Sequence, residues 1–371
     1  MNFTISSSEL QSKLQTCYGA IGTNPSMPML EDFLFDLDGD KLEVTGSNLE
    51  TTIITQIELS SGDKGKVSIP AKILMDTLKA LPDQPLKFQV NDDNYAVEIT
   101  SSFGKYRLSG RSADDYVKIP EADNTETFSL DAGMLKRAIA YTGFATSTDE
   151  LRQAMMGLYF DIEEGKITFV ATDAHKLVRY TLRGLNAATA GNFILPKKSL
   201  SLLNNALLNE GTVEVAYNAK NAFFDYEDTK VICRLIDSRY PDYNAVIPVD
   251  NPHELTLKRQ DLLSSLRRLA IYANKATNQV MFNMQEDGLT ISSEDIDFSN
   301  EAKEQLVCTF TGDDMTMGFN AKFFIEMLNI IGTDDVHLHL NDPNRAGILL
   351  PDDNSEDEEL LMLVMPVMMG Y

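Results

Sequence analysis

The chain of 371 residues lacks tryptophan and has only four histidines and three cysteines. Cys17, Cys233 and Cys308 lie far apart and are odd in number, which argues against a disulfide framework and against a paired-cysteine metal site. Reduced thiols are typical of cytoplasmic proteins, so the cytoplasm is the compartment that we expect.

Long apolar runs are also missing. No segment approaches the roughly 18 consecutive apolar residues that a membrane span requires. The opening residues MNFTISSSEL have no basic region followed by an apolar stretch, so they predict no secretory signal. The segment LLMLVMPVMM is too short for an anchor and is better explained as a core strand that continues into a groove lining. We expect no membrane partner.

Positive charge is scarce, because 32 Lys and Arg face 56 Asp and Glu and give a formal net charge of −24. As an average, this charge disfavours nucleic acid as a partner, since phosphate binding needs cations. The average does not say where the cations lie, and their placement decides what a surface can bind. The acidic run DDNSEDEE, residues 352–359, is best explained as a solvated hairpin loop, with DNA mimicry as the alternative.

A repeat of about 125 residues occurs three times. The segments VSIPAKILMDTLKALPDQPLKFQV, FILPKKSLSLLNNALLNEGTVEVAY and MGFNAKFFIEMLNIIGTDDVHLHL end at Val90, Tyr217 and Leu340. Each predicts a short strand, a turn, a helix of about three turns and an alternating strand. A second set, FTISSSELQSKLQTCYGA, FSLDAGMLKRAIAYTGFA and LTLKRQDLLSSLRRLAIYA, opens each repeat with a strand and an amphipathic helix.

The repeat predicts the fold class and the domain boundaries. We expect an α+β protein of three domains, each with two helices and mostly antiparallel sheets. The acidic linkers PEADNTET and PVDNPHE place the boundaries at residues 1–122, 123–250 and 251–371. The predicted helices cover residues 7–20, 70–81, 131–145, 196–208, 258–275 and 320–331.

The predicted helices carry a disproportionate share of the cations. Together they hold 13 Lys and Arg but only 5 Asp and Glu, so the remainder of the chain is strongly acidic. Lys72, Lys198 and Lys322 occupy the same position in the three repeats, away from the apolar side of their helices. Cations that merely decorate solvated helix faces are the alternative explanation. We favour a common surface that faces a polyanion.

Such a surface would contact phosphates without reading bases. No aromatic residues interleave with these cations, and no zinc-finger or recognition-helix signature is present, so duplex DNA bound without sequence preference fits best. The residues expected to face DNA are Lys72, Lys79, Lys136, Arg137, Lys197, Lys198, Arg267, Arg268 and Lys322.

The motif ATDAHKLVRY, residues 171–180, resembles a site where chemistry could occur. Asp173 and His175 could form a catalytic pair, but no nucleophile signature such as GxSxG accompanies them. The motif is found in the second repeat alone, and we favour partner docking over catalysis or simple packing. His337 and His339 share one face of a predicted strand, where two ligands are too few for structural zinc, so no metal site is expected.

These segments resemble the bacterial β sliding clamp family, DNA polymerase III subunit beta. The most specific pieces are ATDAHKL, DSRYPDYNAVIP, GFNAKF and the closing LVMPV. The resemblance covers essentially the whole chain. It implies three clamp domains per chain and a head-to-tail homodimer that closes into a ring of six domains around DNA. It also implies a non-enzymatic processivity factor without a cofactor or catalytic residues.

The resemblance implies two further sets of site residues. The dimer interface would join Lys105, Tyr106, Arg107 and Leu108 to Ile271, Tyr272 and an acidic stretch with Glu294, Asp295, Asp297, Glu301 and Glu304. A peptide-docking pocket on domains 2 and 3 would include Arg152, Met155, Thr172, Ala174, His175, Lys176, Leu177, Pro241, Val246, Asn320, Phe323, Ala346, Leu363, Val364, Met365, Pro366 and Val367. This chain departs from familiar members at Asn24, at Ala245 and in its closing MMGY.

The implied partners are double-stranded DNA, a second copy of the chain, the replicative DNA polymerase and other clamp-binding proteins that carry short linear motifs. A separate ATP-driven clamp loader is implied too, because this chain has no Walker motif. Two rival hypotheses stay open at this point. One is an enzyme that uses His175 as its acid or base, and the other is a repeat scaffold that binds proteins and never encloses DNA.

Overall fold

The computed structural model describes residues 1–22, 27–185, 189–286 and 288–367. Asn24 and the closing MMGY lie outside these ranges. The first repeat comprises β1 (Asn2–Ser6), α1 (Ser7–Tyr18), β2 (Asp32–Asp38), β3 (Lys41–Ser47), β4 (Thr51–Glu58), β5 (Gly65–Pro70), α2 (Ala71–Ala80), β6 (Pro85–Val90), β7 (Ala96–Thr100) and β8 (Lys105–Ser109).

The second and third repeats follow the same order. The second comprises β9 (Glu126–Asp131), α3 (Ala132–Thr142), β10 (Gly157–Glu163), β11 (Lys166–Thr172), β12 (Lys176–Arg183), β13 (Gly191–Pro196), α4 (Lys197–Ala206), β14 (Thr212–Tyr217), β15 (Asn221–Tyr226) and β16 (Thr229–Arg234). The third comprises β17 (His253–Lys258), α5 (Arg259–Leu269), β18 (Gln279–Gln285), β19 (Gly288–Asp295), β20 (Asn300–Leu306), β21 (Cys308–Thr311), β22 (Met315–Asn320), α6 (Ala321–Ile330), β23 (Asp335–Leu340), β24 (Gly347–Pro351) and β25 (Glu358–Val364).

The predicted α+β repeat of two helices and antiparallel sheets is confirmed. Each repeat builds two arrangements of four strands, for example β1-β6-β7-β8 and β5-β2-β3-β4 in the first repeat, and the third repeat adds a fifth strand, β21, beside β17. The apolar stripes predicted for the first helix of each repeat are buried in the structure. Leu10, Leu14 and Cys17 in α1 are fully buried, as are Leu262, Leu266 and Leu269 in α5. Burial of such a stripe, more than helix propensity, stabilises a helix of this length.

Helix ends differ from the predicted ends by one or two residues in general and by three or more residues in two places. The prediction extended α5 to residue 275, but the helix ends at Leu269, where the amides of Ile271 and Tyr272 donate to carbonyls three residues earlier. The prediction extended α3 to residue 145, but the α-helix ends at Thr142 and a single 3₁₀ turn, Gly143–Ala145, follows. In both places the last turn tightens to the i→i+3 pattern, which hydropathy periodicity does not reveal.

Contacts divide the chain into two compact units, and the division passes through the second repeat. The first unit is Met1–Lys136 with Lys198–Leu235, and it contains the four-stranded sheet β1-β6-β7-β8 and an eight-stranded sheet in the order β5-β2-β3-β4-β16-β15-β14-β9. The second unit is Arg137–Lys197 with Ile236–Tyr371. It contains a nine-stranded sheet in the order β13-β10-β11-β12-β25-β24-β23-β17-β21 and a four-stranded sheet in the order β20-β19-β18-β22.

The long sheets arise because strands of neighbouring repeats pair edge to edge. In the first unit β4 pairs antiparallel with β16, and Thr51 lies opposite Cys233. In the second unit β12 pairs antiparallel with β25, and Lys176 lies opposite Val364. These two pairings join equivalent strands of the repeat in the same register. In the order of the repeat, β20 is equivalent to β4 and β12, and β8 is equivalent to β16 and β25. Both β20 and β8 are sheet edges without a partner strand in the described part of the chain.

Candidate partner-binding pocket, helix faces and strand edges

The motif that contains His175 forms a tight turn between β11 and β12. The Asp173 carboxylate accepts hydrogen bonds from the backbone amides of His175 and Lys176, each at 2.9 Å. The Thr172 hydroxyl donates to the Lys176 carbonyl at 2.7 Å. Ala174 adopts a left-handed conformation with φ of 73°. Asp173 therefore stabilises the turn through the backbone, and the hydrogen bonds described for it do not orient the imidazole as a catalytic base.

The sequence motif is found in the second repeat alone, but a turn of the same geometry occurs in the first repeat. Asn48 accepts from the amides of Glu50 at 3.0 Å and Thr51 at 2.8 Å, and Leu49 has φ of 74°. Asn and Asp both provide the side-chain acceptor that such a turn requires. The shared geometry was not visible in the sequence, because TGSNLET and ATDAHKL share few letters.

Lys176 is the most constrained polar residue of the predicted pocket. Only 6% of it is exposed, and its Nζ lies 2.9 Å from Asp173 and 2.9 Å from Glu326. The same Nζ stands 4.5 Å from the centre of the Phe323 ring, which also stacks with His175. A buried ammonium requires such partners, because desolvation otherwise outweighs its attractions. The turn is thereby attached to α6.

The segment after β25 lies along the edge strand β22. The Met365 amide donates to the His175 carbonyl at 2.9 Å, and the Val367 amide donates to the Gly318 carbonyl at 2.8 Å. Pro366 has no amide hydrogen, so it interrupts regular pairing between these two bonds. A Cβ at position 318 would stand 2.9 Å from the Val367 carbonyl oxygen, so this strand needs Gly318. Gly318 was not predicted from the sequence.

An apolar cluster lies beside this turn. It contains three of the predicted pocket residues, Leu177, Ala346 and Leu363. Its other buried members are Val170, Ile194, Tyr240, Tyr243, Ile348 and Leu361. The two tyrosines were missed, although the segment RYPDY, which resembles the end of the first repeat, could have indicated them.

The other predicted pocket residues occupy varied positions. Thr172 and Val364 are buried, Met155, Pro366 and Val367 are half-buried, and Arg152, Ala174, His175, Pro241, Val246 and Met365 are exposed. The Arg152 guanidinium binds Asp149 at 3.2 Å. The Asn320 side chain accepts from the Lys322 amide at 3.0 Å and caps α6. The arrangement offers apolar walls with a few polar groups at the margin, which is typical of peptide-binding sites.

No group of three metal-ligating side chains is present in the described ranges. His337 lies 2.9 Å from both Glu254 and Asp352, and these carboxylates raise the pKa of its imidazole. No helix of the described chain is long and apolar enough to cross a membrane.

The six observed helices hold 11 Lys and Arg and 4 Asp and Glu, a net charge of +7. Lys72, Lys198 and Lys322 are exposed, as are Lys79, Lys197 and Arg267. Several of the residues predicted to face DNA have partners within the chain, and among them Arg267 donates to the Asn329 side-chain oxygen at 2.7 Å. Lys136 donates to the Leu207 carbonyl at 3.0 Å, Arg137 binds Glu358 at 2.7 Å, and Arg268 forms two bonds to Glu304 at 2.8 and 2.6 Å.

Six of the predicted dimer residues lie on the edge strands β8 and β20. Lys105, Tyr106, Arg107 and Leu108 belong to β8, while Glu301 and Glu304 belong to β20. Glu98 binds Lys105 at 2.6 Å and Arg107 at 3.0 Å, and these cations lower the pKa of its carboxyl. Hydrogen bonds from Arg268 likewise lower the pKa of Glu304.

Exposed apolar side chains flank both edges. Ile271 and Tyr272 are 66% and 43% exposed. Phe103, Ile296 and Phe298, which were not predicted from the sequence, are 71%, 79% and 74% exposed. A concavity of about 860 Å³ lies beside β19 and β20, with Met281, Glu294, Asp297, Glu301 and Lys303 in its lining. Exposed apolar residues gathered at a sheet edge are typical of a protein interface.

Three family models match the chain in succession. They describe the N-terminal, central and C-terminal domains of the DNA polymerase III beta subunit, and they match residues 1–120, 129–242 and 244–368. The chain is 25% identical to the beta sliding clamp of Pseudomonas aeruginosa over 365 residues, which cover 98% of this chain and 99% of that protein. It is 26% identical to the beta sliding clamp of Vibrio cholerae over 370 residues, 99% of this chain and 100% of that one. A crystal structure of a DnaN sliding clamp (DNA polymerase III subunit beta) from Pseudomonas aeruginosa, bound to griselimycin, superposes with a TM-score of 0.94 at 25% identity and covers 100% of both chains.

Proposed function

Because the chain belongs to the DNA polymerase III beta subunit family, we propose that two copies of it join head to tail and enclose duplex DNA as a ring. The protein is a DNA sliding clamp of replication and is not an enzyme. DNA and the polymerase are its partners. A polymerase tethered to a ring returns to its primer end before it diffuses away, because the tether raises its effective concentration.

The observation that carries the proposal is that two edge strands, β8 and β20, lack a partner strand on one side in the described part of the chain. The strand β4 pairs with β16 and β12 pairs with β25, while β20 is the repeat equivalent of β4 and β12, and β8 is the equivalent of β16 and β25. The same pairing between two copies would join β20 of one to β8 of the other. If this heterologous contact forms at both ends of two copies and the rotation closes, it gives a ring in which β8 and β20 are no longer edge strands.

The internal pairings also supply a register for this contact. If the register of the internal pairings is transferred, Asn300 would lie opposite Leu108 of the partner subunit and Glu301 would lie opposite Arg107 of the partner subunit. The Glu301–Arg107 pair brings opposite charges across the two strands and would stabilise the pairing, whereas the same register would place Lys303 opposite Lys105 of the partner subunit, a repulsion that subtracts from it. The exposed Phe103, Ile271 and Phe298 would supply apolar area that each edge lacks alone.

The DNA contacts would come from the exposed helix cations, with Lys72, Lys198 and Lys322 as equivalent members. The side chains of Lys72, Lys198 and Lys322 have no ion pair within 4.0 Å in the described part of the chain. Such exposed charges interact with phosphates weakly and are screened by salt, which suits sliding better than tight binding. Lys136, Arg137 and Arg268 would contribute less, because contacts within the chain already hold them.

We assign the pocket near the turn at 172–177 to short linear motifs of the clamp loader, the polymerase and other clamp-binding proteins. The apolar wall of Leu177 and Leu363 and the exposed Met365 would accept apolar side chains, and methionine adapts to several shapes. His175 and Arg152 would orient the peptide from the margin.

We propose residues 1–122, 123–250 and 251–371 as the three domains of the chain. We propose the cytoplasm as its compartment.

The test of enclosure is retention on circular DNA. The protein is loaded onto a nicked plasmid by its clamp loader with ATP, and its retention is measured before and after one restriction cut. A ring stays on circles and leaves linear DNA by sliding off the ends. Equal retention on both forms, or none on circles with an active loader, contradicts enclosure.

The same assay tests the cations. The triple variant Lys72→Glu, Lys198→Glu, Lys322→Glu should lose loading or retention on circles, because repulsion replaces attraction to phosphates. The matched control changes Lys41, Lys87 and Lys220 to Glu. These lysines are exposed and lie outside the helices, so the control should load onto circles and stay there as the unaltered protein does. A scaffold that does not enclose DNA would tolerate both triple variants equally.

A further inference from the structure

The first compact unit contains a groove that the functions above do not use. It has a volume of about 410 Å³ and runs between segment 119–122 and the strands on either side of the β4–β16 pairing. Ile54, Ile119, Phe223 and Ile232 form its apolar part, and Phe223 and Ile232 are almost fully buried at its base. The volume falls within the range of about 300–1,000 Å³ that is usual for ligand pockets.

The margin of this groove is acidic. Of its charged lining residues, Asp225 is paired with Lys230 at 3.1 Å, and Asp228 is paired with Lys13 outside the groove. Glu43, Glu121 and Glu227 also line it, are exposed, and have no ion pair within the described ranges. Three carboxylates without an ion-pair partner surround the apolar floor of the groove. This arrangement favours a partner that brings both apolar side chains and cations.

The equivalent position in the second unit has different chemistry. At the β4–β16 pairing, Ile54 lies opposite Lys230, whereas at the β12–β25 pairing Arg179 lies opposite Leu361. The β12–β25 pairing contributes to the apolar cluster of the predicted peptide-docking pocket. The exposed polar margin of that pocket includes Arg152 and His175. The exposed margins of the two surfaces therefore differ, with carboxylates around the first groove and Arg152 and His175 at the second.

We propose that the groove beside the β4–β16 pairing is a second docking site, which binds an extended segment of a partner protein with apolar side chains flanked by Lys or Arg. The apolar side chains contact Ile54, Ile119 and Phe223, and the flanking cations pair with Glu43, Glu121 and Glu227. Both β4 and β16 already have strand neighbours on each side, so recognition proceeds through side chains and not through addition of a strand. The proposal is independent of whether the peptide-docking pocket near the turn at 172–177 binds short linear motifs.

The probe for the test is a fluorescent peptide of the sequence Lys-Lys-Leu-Leu-Lys-Lys, and its binding to the full chain is followed by fluorescence anisotropy at about 0.15 M salt, where the Debye length is about 8 Å. The groove variant is Glu121→Lys with Glu227→Lys. The control variant, Glu164→Lys with Asp353→Lys, makes the same change in net charge at exposed residues of the other unit that also lack ion pairs within the described ranges. A third variant, Ile54→Ser, alters the apolar part alone.

The groove variant should weaken peptide binding about tenfold, because two exposed attractions become repulsions. The control should change it less than twofold, and Ile54→Ser should weaken it several-fold. An equal loss in the groove and control variants would mean that the acidic chain attracts the peptide without a site. That result overturns the proposal, and so does the absence of binding to the unaltered chain at about 1 mM peptide, because a Kd weaker than that is too weak for specific docking.

Discussion

Arg107→Glu should separate the subunits of the ring. In the proposed register Arg107 of each copy faces Glu301 of the other, so a closed dimer contains this pair twice. Opposite charges across two strands contribute about 0.2–1 kcal/mol, and like charges destabilise by a similar amount. Reversal at both joints therefore costs about 1–4 kcal/mol, which raises the dimer Kd by about fivefold to several hundredfold.

The measurement is sedimentation velocity over a dilution series. Within one subunit Glu98 keeps Lys105 at 2.6 Å when Arg107 is replaced, so the sheet should remain folded. Lys87→Glu is the control, because it makes the same charge change on β6 of the same sheet, away from the edge. The double variant Arg107→Glu with Glu301→Arg should restore the dimer. Equal Kd values for the Arg107 and Lys87 variants, or failure of the double variant to recover, would refute the register.

Three further outcomes are expected. Gly46→Ala should lower the free energy of unfolding by about 1–3 kcal/mol, because a Cβ there would stand 2.5 Å from the Cys17 carbonyl oxygen; urea unfolding measures this. Iodoacetamide should label Cys308 first in the folded protein, because burial raises the pKa of Cys17 and of Cys233 to about 12, and mass spectrometry identifies the labelled thiol. The two carboxylates beside His337 raise its pKa above the unfolded value, so their stabilisation is fully present below that value and is lost as pH rises through the folded pKa; His337→Gln should therefore destabilise more at pH 6 than at pH 9 in unfolding experiments.

Each of these expectations has a control. Gly22→Ala should be neutral by comparison with Gly46→Ala, because nothing lies within 4 Å of a Cβ at that position. Labelling of all three thiols at one rate in the native protein would contradict the burial argument. A His337→Gln effect that stays constant with pH would mean that packing, and not ionisation, accounts for the role of the imidazole.

Several features of the fold were determined by the sequence itself. Periodicity located all six helices, because a helix that buries one stripe must repeat its apolar residues every three to four positions. The threefold repeat predicted two helices and mostly antiparallel strands in each domain, since similar sequences fold similarly. The concentration of cations on helices was also visible, because it depends only on which residues belong to which element.

Other features of the site could not be predicted, because they depend on residues distant in sequence. Lys136, Arg137 and Arg268 fit the pattern of free cations, yet each is held by a partner 36 or more positions away in the chain. Gly318 was not identified because its constraint comes from the Val367 carbonyl. Periodicity reports only the local environment of a residue, whereas these contacts form when the sheets assemble.

The division between sequence and tertiary structure is clearest at the strand edges. The family resemblance pointed to the segments that contain residues 105–108 and Glu301, but the sequence could not determine that β8 and β20 lack partner strands in the described part of the chain while β16 and β25 have them. Edge pairing is set by hydrogen bonds between segments about 180 residues apart, such as those that join β4 to β16 and β12 to β25. Local hydropathy does not encode those bonds. The tertiary structure alone decided that β8 and β20 are edge strands, which are the surfaces that we propose for contact with a second copy.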